Sequence, residues 1–102
     1  MITTVDGLRY GQLVRSTAGR DRNQYYLIFR MVGDRFLEVV NGLNHPVVKP
    51  KRKNIKHLKI FMIVDREIES LLSNGEMIKD SVIQAAIQRI VSEFEEGDRL
   101  NG

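Results

Sequence analysis

The chain has 102 residues, 42% of them hydrophobic, and a net charge of +3. These values predict a single domain built around a small core. The absence of cysteine excludes disulfides and thiolate metal sites, and two isolated histidines, His45 and His57, argue against a zinc site.

The opening stretch, MITTVDGLRY, has no basic segment followed by a long apolar run, so no signal peptide is expected. The longest apolar runs, 25–29 and 60–64, span five residues each, against the ~20 that cross a bilayer. A cytoplasmic location without a membrane partner is the corresponding expectation.

Residues 11–61 read as short strands. Residues 12–17 make the first, followed by a turn-like segment, Ala18-Gly19-Arg20-Asp21-Arg22-Asn23. Aromatic and β-branched residues in QYYLIFRMV, 24–32, predict a second, and Gly33-Asp34 predicts a tight hairpin turn into a third at 35–40. Asn41-Gly42 is the strongest turn signal in this half. Val47-Val48 is predicted as a fourth short strand, with Pro50 breaking the pairing beyond it. Residues 56–61 alternate, with Lys56, Leu58 and Ile60 facing one way and His57, Lys59 and Phe61 the other. Such a series of short strands predicts a small antiparallel barrel.

After Val64 the period changes. Asp65 is placed to cap a short helix carrying Ile68, Leu71 and Leu72, which Asn74-Gly75 stops. Asp80 or Ser81 is placed to cap a longer one, because a short side-chain oxygen accepts a hydrogen bond from a first-turn N–H. Val82, Ile83, Ala86, Ile87, Ile90, Val91 and Phe94 then form one apolar stripe that Gly97 ends. The stripe covers the barrel or the short helix, or it serves as a dimer seam through 83, 87, 90 and 94. Two heptads fall short of a coiled coil, so intramolecular packing and a monomer are expected. The predicted organisation is a barrel over 1–64 and a helical extension packed on it over 65–102.

The net charge hides a division. Residues 1–60 hold 12 basic and 4 acidic side chains, a net of +8, and residues 61–102 hold 4 and 9, a net of −5. KPKRKNIKHLK, 49–59, carries Lys49, Lys51, Arg52, Lys53, Lys56 and Lys59 without an acid. Its flanking strands tie down both ends, so it reads as an internal loop entering a strand. Mutual repulsion among these charges is relieved by a polyanion, which also releases its condensed counterions. Arg20 and Arg22 lie in the first turn and Arg15 on the strand before it, and loops gathered at one barrel end would join them to the run. Asp21 between two arginines reads as a loop-ordering ion pair rather than a general base. Tyr25, Tyr26 and His57 are candidates for stacking on bases. The alternatives are barrel core or rim for the tyrosines and strand-surface packing for His57. Chance segregation of solvated charges is the plain alternative to the whole pattern.

Residues 10–42, YGQLVRSTAGRDRNQYYLIFRMVGDRFLEVVNG, resemble the KOW motif and its continuation, with Gly19 at the place of the motif's glycine and Gly11 opening the first strand. Together with KPKRKNIKHLK and the C-terminal LLSNGEMIKDSVIQAAIQRIVSEF, nearly the whole chain resembles small bacterial KOW-domain proteins of the ribosomal-protein type. Those proteins are similar to large-subunit ribosomal proteins of archaea and eukaryotes. The resemblance implies an SH3-like barrel that binds RNA, with ribosomal RNA or the ribosome as the implied partner. By position, Gly19, Arg20 and Asp21 correspond to the loop after the first strand. Lys49, Lys51, Arg52, Lys53, Lys56 and His57 correspond to the basic block. Arg15, Arg22 and Lys59 complete the expected RNA-binding set. The acidic last third departs from a protein enclosed on all sides by ribosomal RNA and leaves an accessory, transient role open.

No GxxxxGK[ST], GxGxxG or GxSxG pattern and no cysteine nucleophile is present, so neither an enzyme nor a cofactor is expected. Glu93, Glu95, Glu96 and Asp98 read as the solvated end of a helix. The alternative to an RNA-binding module is a protein-interaction adaptor, in which the barrel or the acidic tail docks on a partner.

Overall fold

In four of the five strands apolar residues point to both faces of the sheet, and both faces are covered. A computed structural model describes residues 4–101, with side chains described through Phe94. Its strands are β1 (Gln12–Ser16), β2 (Tyr25–Val32), β3 (Phe36–Val40), β4 (Lys51–Asn54) and β5 (Leu58–Val64). A single 3-10 turn, Ile55–His57, joins the last two, and α1 (Arg66–Ser73) and α2 (Asp80–Asn101) follow. All pairings are antiparallel, in the order β4-β3-β2-β1-β5. β4 and β5 are the two edges and are not paired with each other, so the sheet is open rather than a closed barrel.

Leu13, Leu27, Val40 and Phe61 face the helices and share a core with Ile68, Ile78, Ile83, Ala86 and Ile90. Val14, Tyr26, Ile28, Leu37 and Val39 face the other way, where Ile55 and Leu58 close over them with Val5 and Leu8 alongside. Register breaks between Gln12 and Val14 and between Ile28 and Arg30 supply the bends that let one sheet wrap this second core. The expected alternation in β5 is present: Leu58 and Ile60 pack in the second core and Phe61 in the first.

Several local expectations need correction. Val47-Val48 is a turn, not a strand. Pro46 O accepts the Lys49 N–H, and Val47 N donates to Asp80 Oδ1, which withdraws these groups from any ladder. The fourth strand lies inside the basic run instead, at Lys51–Asn54, paired with β3. Lys56 and His57 occupy the 3-10 turn rather than β5. Asp80 lies within the first turn of α2 and holds the 41–50 loop rather than capping its own helix. α2 continues through Gly97 to Asn101, since a glycine weakens a helix by ~1 kcal/mol without ending it. Glu95, Glu96 and Asp98 lie outside the residues whose side chains are described.

Asp65 caps α1 as expected, accepting the Ile68 N–H at 2.9 Å. At the other end Gly75 N and Glu76 N donate to the carbonyls of Leu72 and Leu71, a paired C-terminal closure around a left-handed glycine (φ +72°). Both helices start hard against the sheet. A Cβ on Gly11 would stand 2.9 Å from Asp65 O, and one on Gly42 would stand 2.5 Å from Asp80 O. Gly33, also left-handed (φ +66°), has open space around it. Gly33→Ala should therefore cost only the ~1–2 kcal/mol of the backbone conformation. Gly42→Ala should cost about 1–3 kcal/mol more, because the α2 backbone must move. Urea unfolding of the two variants measures that difference.

Candidate nucleic-acid interface

The strand period that fills the second core also delivers three polar side chains to its end. Ser16 follows Val14 on the same face of β1, Tyr26 precedes Ile28 on β2, and Lys53 stands opposite Leu37 on β4. They converge on Asp21 from the β1–β2 loop. Its carboxylate accepts hydrogen bonds from Ser16 Oγ (2.9 Å), Tyr26 Oη (2.7 Å) and Lys53 Nζ (3.0 Å). Asp21 is 7% exposed and Lys53 9%. Burial pushes the Asp21 carboxyl up, but the hydrogen bonds from Tyr26, Lys53 and Ser16, with the lysine charge, outweigh it and hold the group at about 2. Burial, and then the bond to Asp21, raises the Tyr26 phenol well above its ordinary value.

This ion pair fastens the 17–24 loop to β4. Arg20 and Arg22, on either side of Asp21, are exposed and held beside the basic strand. Thr17 N donates to His57 O at 2.9 Å, which sets the same loop against the 3-10 turn and its exposed Lys56 and His57. The Asn54 side chain accepts the Lys56 N–H and fixes that turn. Half-buried Lys51 lies on the Lys53 side of β4, and exposed Lys49 lies in the preceding loop. Arg20 and Arg22 thus lie in a loop tied both to β4, which begins with Lys51, and to the turn that carries Lys56 and His57.

The other candidates stand apart. Arg52 points to the opposite face of β4, its guanidinium carbon 4.5 Å from the Phe36 ring centroid and its backbone opposite Glu38, which pairs with Arg30. Arg15 and Lys59 are cross-strand partners on the helix-side face. The Arg15 guanidinium carbon lies 5.9 Å from the ring centroids of both Tyr25 and Phe61, and Lys59 Nζ lies 5.2 Å from that of Phe61. Their amphipathic stems thus cover aromatic surface.

Lys53, Asp21 and His57 depart from the expected site. Lys53 is buried and neutralised by Asp21, so it orders the site rather than displaying charge. Asp21 pairs with this lysine, 32 residues away, and not with its neighbouring arginines. For the tyrosines the core reading holds: Tyr26 is fully buried, and half-buried Tyr25 packs on Phe61 with ring centroids 6.0 Å apart. His57 lies in an exposed turn, not on a strand surface. His45 packs against Tyr26, the ring centroids 5.7 Å apart and the planes tilted by 53°. Burial, then repulsion from Lys51, lowers its pKa against the pull of Asp21.

Among the described residues no group of three or more His, Cys, Asp or Glu side chains is placed to hold a metal ion, and no helix is long and apolar enough to cross a membrane. Comparison of the chain with protein-family models and with curated proteins finds no match.

The Asp21 group makes stability depend on acid. Its folded-state value of about 2 lies below the ordinary ~3.9 of an unfolded aspartate, so its contribution is complete above about pH 4. That contribution, about 2 kcal/mol, is lost as pH falls toward 2. Asp21→Asn should flatten the stability profile between pH 5 and 2. It should also lower stability at neutral pH by about 3 kcal/mol, because the Lys53 amine is left buried without a counter-charge. Denaturant melts at stepped pH check both effects.

Proposed function

We propose that the protein binds RNA, using the basic loop, strand β4 and the turn after it to contact phosphates, as an accessory factor in a cytoplasmic, ribosome- or translation-associated setting. The observation that carries this reading is the Asp21–Lys53 pair, which brings Arg20 and Arg22 beside β4 and the Lys56–His57 turn. Asp21 is satisfied internally, and among the described residues no salt bridge pairs Arg20, Arg22, Lys51 or Lys56 with an acid. Arginine grips a phosphate through two hydrogen bonds and lysine acts as a mobile point charge, so the mixture suits a backbone with variable phosphate positions.

We read the curled sheet as an incompletely closed SH3-like barrel of the KOW type. In support, β1 pairs with both β2 and the last strand, and a single 3-10 turn separates β4 from β5. The proposal is of a binding protein rather than an enzyme, because a carboxylate committed to three donors and held at about 2 makes a poor base. The adaptor alternative has less support. Ile83, Ala86 and Ile90 of the α2 stripe are buried in the first core and are not offered to a partner.

With roughly six phosphate contacts, affinity for structured RNA should fall about a thousandfold between 50 and 200 mM salt. The double variant Arg22→Glu, Lys56→Glu should weaken binding to unrelated RNAs alike and reduce the salt slope by about 2. Filter binding across a salt series measures both, and a flat salt response overturns the reading.

A further inference from the structure

A groove of about 750 Å³ opens where the 17–24 and 41–50 loops meet α2. That is within the ~300–1,000 Å³ of sites that bury small ligands. In a chain with 28% charged residues, none of the groove's lining residues carries a charge, and six of the eleven are carboxamides. The remainder includes the Tyr25 ring and the side chains of Ile87 and Val91. This chemistry suits a flat, neutral ligand whose edge alternates donors and acceptors, and it does not suit a phosphate.

Part of the amide set braces the walls. The Asn41 oxygen accepts the Leu43 and His45 N–H groups, and Gln84 Nε2 donates to Gly42 O. Other amides are uncommitted. Among the described residues the side chains of Asn23 and Gln88 make no hydrogen bond, and both residues are exposed. Asn23 also holds a left-handed backbone (φ +75°), alone among the described non-glycine residues, at the junction between the arginine loop and β2. Arg22 immediately precedes it. On the groove's β2 side, Arg15 packs by Tyr25 with a buried Nε that has no hydrogen-bond partner. Arg22 and Arg15 are therefore neighbours, in sequence and in packing, of residues that line the neutral groove.

We infer that this groove seats an unpaired base of the bound RNA, with Tyr25 as its stacking surface and Asn23 and Gln88 as partners for its edge. The inference rests on the RNA-binding reading and adds to it a preference for unpaired strands. A carboxamide presents a donor and an acceptor side by side, which matches adjacent groups on a base edge. Stacking on an aromatic ring accepts any base. In a duplex the bases are paired and stacked, and only the phosphates remain for the basic face.

The test is fluorescence anisotropy with a short single-stranded RNA and with the duplex of the same sequence, at one salt concentration and then across a salt series. The wild-type protein should prefer the single strand by on the order of tenfold. The double variant Asn23→Gly, Gln88→Ala should lose most of that preference while keeping its duplex affinity and salt slope. Both positions are exposed and glycine accepts the backbone at 23, so the fold is preserved. Quenching of a 2-aminopurine placed in the single strand, lost in Tyr25→Leu, reports the stack directly. Equal affinity for the two RNA forms, or a preference that survives Asn23→Gly, Gln88→Ala, overturns the seated base and leaves the phosphate surface standing. Absence of binding to either form overturns the phosphate surface and this inference with it.

Discussion

A lysine amine and an aspartate carboxylate, each side chain 9% exposed, meet 3.0 Å apart at the end of the second core. Burying either alone would be costly, and removing one partner leaves the other as an uncompensated charge. The pair is tolerated because Tyr26 and Ser16 fill the remaining hydrogen-bonding capacity of the carboxylate. It also spans the sheet, since Asp21 belongs to the β1–β2 loop and Lys53 to the edge strand β4. The position of Arg20 and Arg22 beside β4 follows from that link. Without it the loop carrying Arg20 and Arg22 would keep its attachment to His57 but lose its attachment to β4.

The sheet's two faces divide the work. The helix-side face is covered by α1 and α2, whose first turns are pressed onto Gly11 and Gly42, so helices and strands share one core. The opposite face wraps a smaller core and ends in the polar knot. The acidic C-terminal segment and the basic loops therefore belong to one packed unit, in which the proposed RNA contact uses loops and an edge rather than the helices.

Much of this was legible in the sequence because it depends on local rules. The cap at Asp65, the stop at Asn74-Gly75, the apolar stripe from Ile83 to Phe94 and the alternation of Leu58, Ile60 and Phe61 all follow from period and capping chemistry. The fourth strand was not legible. Val47-Val48 has the composition of a strand, but Pro46 and the Asp80 carboxylate fix it as a turn. Lys51–Asn54 has poor strand propensity and forms one because β3 offers an edge and Asp21 neutralises its inward lysine. The partner of Asp21 lies 32 residues away, beyond any window of local pattern. The groove escaped notice for a related reason: its amides are scattered from Asn23 to Gln88, and only the packing of α2 against two loops gathers them.

The open edge at β4 has a further consequence. An unpaired strand presents a row of free backbone groups that invites a second chain to extend the sheet. Here the edge is written Lys-Arg-Lys-Asn, and two copies approaching edge to edge bring like charges together. Lys51, which favours an anionic polymer, and the exposed Arg52 thereby keep the protein from polymerising with itself, so their substitution by neutral strand formers would trade solubility for self-association.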